Sequence, residues 1–168
     1  MAQLDNTLPY YEIPDYTESY TEGTVAARMI DALGFRYYWA TEGLREEDLN
    51  YKPSESGRET RETIEHIYSL SKFIRNSVLI NEKDTNIAQF NFEAIRKQTL
   101  TNFKLVSDAL RNTEAPFQLN TTEVPFWNLI NGPISDAIWH CGQVVLLRRA
   151  SGNPFNSKVN LFSGKVKD

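Results

Sequence analysis

The side chains best suited to chemistry in this chain are its two histidines, His66 and His140, and an aspartate, Asp136, four residues before the second. On a helix that spacing places Asp136 and His140 one turn apart on one face. The repeat continues through Val144 and Leu147, with Ala137 and Cys141 beside it, so the face is read as pointing inward. An inward carboxylate without a partner is costly. A divalent transition-metal ion, zinc or nickel, satisfies carboxylate and imidazole together, since both are ordinary ligands for such ions. His66 falls on the apolar side of a separate helical pattern, and a facing helix is where a helical metal site takes its remaining ligand. His66, Asp136 and His140 are therefore the candidate ligand set. Three protein ligands leave a position open for water or substrate, the arrangement of catalytic rather than structural sites. The plainer reading is a metal-free hydrogen-bond network of the same three side chains.

Four helical patterns are expected to position them. The first covers roughly 24–42, with Ala26, Met29, Ile30, Leu33, Tyr37 and Ala40 inward. The second covers about 60–81, with Thr63, His66, Ile67, Leu70, Phe73, Ile74 and Ser77 on one side. The third spans 92–111. A linker with Pro116 and Pro125 follows, then a single turn near Trp127. The fourth is read from Asn131 to Gly152, with Gly132-Pro133 as an interruption and Asn131 or Ser135 as the cap. No run requires a strand. Four amphipathic helices of similar length predict an all-α, four-helix bundle over 23–152. Residues 1–22 carry five acids, four tyrosines and no Lys or Arg. They read as an extended arm laid on the body or as a mobile leader. Residues 153–168 read as an irregular tail whose Lys158, Lys165 and Lys167 are drawn toward the acidic arm.

Composition narrows the classes. A chain of 168 residues can bury a core without disulfides, so a metal here is functional rather than needed for folding. A net charge of −4 without a basic stripe argues against nucleic acid. The single cysteine, Cys141, suits a reducing compartment. No apolar run approaches membrane-spanning length, and the first residues lack the charged and apolar regions of a signal peptide. A cytoplasmic protein is expected.

The segment WHCGQVVLLRR resembles the His-x-Gly-Gln segment of the DinB/YfiT-like superfamily of metal-binding four-helix bundles, with His140, Gly142 and Gln143 matching. RETIEHIYSL is similar to that family's T-I-x-x-H segment, with His66 in the ligand place, and the preceding GLREEDLNYKPSESGRET resembles its linker. The likeness covers about residues 24–154. It implies a metal-dependent enzyme, with hydrolysis or transfer of a low-molecular-weight thiol as the chemistry, a small-molecule substrate and a homodimer. The family's fourth helix commonly has His-x-x-x-His, and here Asp136 stands in the first place. A carboxylate there leaves a divalent ion about one net positive charge and lowers its power to acidify bound water.

Other residues carry less. Glu62, one turn before His66, is a candidate proton carrier or a solvated helix-start acid. Gln143 is read as supporting a ligand from behind or as bridging helices. Tyr37, Trp39, Trp127 and Trp139 are candidate pocket walls, or core. Cys141 reads as a small buried hydrophobe. Arg148 and Arg149 read as dipole complement, surface, or an anion site. Three functions remain open: a metal-dependent enzyme, a non-catalytic metal-binding or ligand-sensing module, and a metal-free bundle.

Overall fold

The computed structural model describes residues 8–80, 91–112 and 117–167. Helices form where the apolar periodicity puts them. Thr21 caps α1 (Glu22–Thr41): its hydroxyl accepts from the Thr24 N–H, and the Thr24 hydroxyl accepts from the Thr21 N–H. A short α2 (Glu46–Leu49) lies in the connection to α3 (Thr60–Val78). Asn91 caps α4 (Phe92–Arg111) by accepting from the Ala94 N–H. A 3₁₀ turn (Leu119–Thr121) and a single-turn α5 (Phe126–Leu129) lead through a π-turn (Ile130–Ile134) into α6 (Ser135–Ala150). The described chain is mostly helical.

α1 packs on α4 and α6, and α3 packs on the same two. α1 and α4 are antiparallel: Asp31 meets Ser107 and Arg111, while Thr41 at the end of α1 meets Arg96 near the start of α4. α3 and α6 are antiparallel as well, since His66 meets Asp136 and the carbonyl of Ser77 accepts from the Glu123 N–H ahead of α5. α1 and α6 run the same way, because Arg148 near the end of α6 donates to the carbonyls of Trp39 and Ala40. It follows that α3 and α4 are parallel, so α3 ends and α4 begins at opposite ends of the helical layer.

Ile30, Leu33, Tyr37, Ile64, Ile67, Leu100, Phe103 and Val144 fill the space between the four long helices. Three pairs of buried polar groups join the helices. Ser107 donates to Asp31 at 2.6 Å, Asn102 to Ser71 at 3.0 Å, and Arg96 to Thr41 at 3.0 Å.

The two ends of the described chain meet. Tyr10 and Ile13 are buried, whereas Tyr16 and Tyr20 stand in solvent. The Tyr10 ring lies over Gly34 of α1, where a Cβ would sit 2.5 Å from it. The Ile13 N–H donates to the Gly164 carbonyl at 2.9 Å, and Lys165 pairs with Glu12 and Asp15. The expectation of an irregular tail is corrected here. Val159–Asn160 (β1) and Lys165–Val166 (β2) form an antiparallel pair closed by Gly164, whose φ of 69° favours glycine. No described helix is long and apolar enough to cross a membrane.

Candidate metal centre

The chain enters α6 through a deformation. Gly132 departs from helical geometry (φ −93°, ψ −105°) and Pro133 has no N–H to donate, so the turn widens to the π form. Both the N–H and the hydroxyl of Ser135 donate back to the Ile130 carbonyl, the hydroxyl at 2.6 Å. Ser135 thus closes the π-turn rather than capping a fresh helix, and the helix read from Asn131 begins four residues later. Asp136 follows at once, in the first turn of α6.

The structure brings the three predicted side chains together. His66 Nε2 lies 3.1 Å from Asp136 Oδ2, and His140 Nε2 lies 3.4 Å from Asp136 Oδ1. One donor atom from each of the three falls within 4.8 Å of the others. The imidazole rings meet edge to face, with centroids 4.6 Å apart and planes at 85°. α6 supplies the acid and one histidine, and the antiparallel α3 supplies the other.

Their expected inward orientation is corrected. The side chains of His66 and Asp136 are 38% and 41% exposed, and that of His140 is 13% exposed. Helical geometry explains the gradient. A step of four residues overshoots one turn by about 40°, so Asp136, His140 and Val144 rotate progressively toward the core. Val144 is fully buried. The buried stripe of α6 is centred on Ala137, Cys141, Val144 and Arg148, and the Asp–His pair occupies its edge. On α3 the buried stripe runs through Ile64, Ile67, Ser71 and Ile74, and His66 lies on its flank beside the half-exposed Phe73. The site is a partly exposed seam between α3 and α6.

Gln143 holds the far side of the His140 ring: His140 Nδ1 lies 2.7 Å from Gln143 Oε1, which leaves Nε2 turned toward the Asp136 carboxylate at 3.4 Å. Donor atoms that share a first-row ion at about 2.1 Å lie roughly 3.0–3.4 Å apart. The separations of His66 Nε2 from Oδ2 and of His140 Nε2 from Oδ1, 3.1 and 3.4 Å, fall in that range. Two imidazoles and a carboxylate also suit a divalent transition ion by charge and donor type. The residues present fit such an ion.

The remaining predicted residues distribute differently. Gln143 does support His140 by the bond just described. Glu62 is exposed and accepts from the Glu59 N–H at 2.8 Å, which commits it to the start of α3. Tyr37 is fully buried against Phe103. Trp39 is buried too, donating from Nε1 to the Tyr11 carbonyl at 3.1 Å. Its edge lines a cavity of about 220 Å³ with Ile138, Gly142 and Arg149, on the flank of α6 that faces α1 rather than α3. Tyr37 is therefore a packing residue, while Trp39 walls a cavity apart from the three candidate ligands. Trp139 and Trp127 stand largely in solvent.

Burial pushes the Cys141 thiol up to about 12, which leaves no thiolate to ligate or attack. Arg148, read as surface or dipole complement, is buried and holds the carbonyls of Trp39, Ala40 and Asn153. The sequence reading missed this pin, whose one signal was an arginine in phase with Cys141 and Val144. No protein-family model, no curated protein and no solved structure matches this chain.

Proposed function

We propose that this chain is a metal-dependent enzyme of the DinB/YfiT-like type, a four-helix bundle in which His66, Asp136 and His140 hold one divalent transition ion, zinc or nickel. Its chemistry is hydrolysis of a small molecule or transfer of a low-molecular-weight thiol. The carrying observation is the convergence of His66, Asp136 and His140, one ligand atom from each within 4.8 Å of the others. When bound, the ion supplies Lewis acidity toward a substrate carbonyl, phosphoryl group or thiol. Gln143 orients His140, Asp136 offsets part of the positive charge, and the exposed side of the ligand set admits substrate. Cys141 takes no nucleophilic part, being buried and protonated. The expected homodimer and cytoplasmic setting belong to this reading.

A non-catalytic metal-binding or ligand-sensing role is the alternative. The observation that favours it is the commitment of Glu62 to capping α3, which removes the nearest predicted proton carrier. Metal analysis of protein purified without a histidine tag tests the shared premise. About one equivalent of zinc or nickel, lost in His66→Ala with helicity unchanged, supports it. Well below one equivalent, with His66→Ala no different, overturns it. Metal-stimulated ester hydrolysis or thiol transfer that disappears in His66→Ala then selects the enzyme. Tight metal binding without either activity selects the sensor.

A further inference from the structure

A concave surface lies away from the three candidate metal ligands. A cleft of about 1030 Å³ opens between the N-terminal half of α1 and the segment that leads through α5 into the π-turn. That is the size of a small-molecule site. None of His66, Asp136 and His140 lines it. Its rim carries large apolar side chains that the fold leaves in water: Tyr20 is 95% exposed, Trp127 76% and Val25 50%. Isolated exposed apolar residues need no explanation, but three around one opening mark a binding surface.

Both walls are built before any ligand arrives. On one side, the reciprocal Thr21–Thr24 bonds fix the start of α1. On the other, the Glu123 N–H donates to the Ser77 carbonyl at 3.1 Å, which ties the segment to the end of α3. The floor is Ala26, Met29, Phe126 and Ile130. The charge of the lining is one-sided. Among the described residues that line the cleft, Glu22 and Glu123 are the ionisable acids, and there is no Lys, Arg or His. Such a surface repels carboxylates and phosphates. A lining that combines Trp and Tyr rings with acidic groups suits ammonium ions, which are drawn by the ring quadrupole as well as by charge.

We infer that this cleft binds a small amphipathic organic cation, an aryl- or alkyl-ammonium compound, with its charge near Glu22 and Glu123 and its apolar part against Trp127, Tyr20 and Met29. This site goes beyond the metal reading and does not depend on it. The test is calorimetric titration of the full chain with benzyltrimethylammonium, with benzyl alcohol as the neutral probe and phenylacetate as the anionic one. The expected result is saturable binding of the cation, weaker binding of the alcohol and none of phenylacetate. Trp127→Ala, at an exposed position, weakens the cation by about tenfold, Glu123→Gln weakens it severalfold, and His66→Ala leaves it unchanged. Equal binding of the alcohol or of phenylacetate overturns the charge assignment. Absence of saturable cation binding, an unchanged Trp127→Ala, or self-association of the chain that Trp127→Ala abolishes overturns the site.

Discussion

At Asp136 the question is what one carboxylate does between two imidazoles. Its oxygens face different histidines, at 3.1 and 3.4 Å, so it is the hinge of the set. Asp136→Asn keeps the shape and removes the charge. Metal affinity should fall while the circular dichroism spectrum and urea midpoint stay put, because the side chain is part-exposed and folding does not rest on the ion. An unchanged affinity removes Asp136 from the ligands. Gln143 acts one bond further out. Gln143→Ala frees His140 Nδ1 and should cost about 10–100-fold in metal affinity by competition with a chromophoric chelator. Its exposure makes a folding defect a poor alternative explanation. The identities of the three candidate ligands were legible from residue type and spacing. Their exposure was not, because a four-residue repeat drifts around the helix and so cannot say which member faces the core.

Helix placement depends on two buried charged residues that periodicity did not single out. Arg148 joins the end of α6 to the end of α1 by donating to the Trp39 and Ala40 carbonyls. Arg148→Met keeps the volume but leaves those carbonyls unpaired, and should cost about 3 kcal/mol in urea denaturation. Asp48 of α2 accepts from Arg45, Ser151 and Asn153, which ties α2 to the end of α6. Burial works to raise its carboxyl, but the bonds from Arg45, then Ser151 and Asn153, outweigh it and hold Asp48 well below the usual carboxylate range. A depressed carboxyl contributes stability above its unfolded value of 3.8, and that contribution is lost as the pH falls below it. Urea midpoints measured downward from pH 5 should therefore drop for the wild type, with a shallower drop for Asp48→Asn. Parallel curves would remove Asp48 from the acid response.

Over the whole molecule, α1 is braced by the segment before it. Tyr10 occupies the space Gly34 leaves open, and the backbone bond from Ile13 to Gly164 ties that segment to the C-terminal hairpin. Gly34→Ala drives a methyl group into the Tyr10 ring and should cost about 1–3 kcal/mol, with faster proteolysis before residue 20. Unaltered proteolysis would mean that the ring finds another seat. The helical skeleton could be read from the sequence because each long helix has an apolar stripe. The parallel course of α3 and α4 could not, since periodicity assigns faces and not directions. Strands of two residues are too short to show alternation, so Val159–Asn160 and Lys165–Val166 passed as irregular tail. The likeness to DinB/YfiT-like proteins rests on short motifs around His66 and His140. It stands or falls with the ion those motifs would hold.

Anomalous diffraction from crystals of the tag-free protein, recorded above and below the zinc edge and again at the nickel edge, tests that ion most directly. The account predicts one strong peak between α3 and α6, within bonding distance of His66 Nε2, His140 Nε2 and an Asp136 carboxylate oxygen. A map with no peak there, from protein supplied with both metals, or with the histidines bonded only to Asp136, would contradict it.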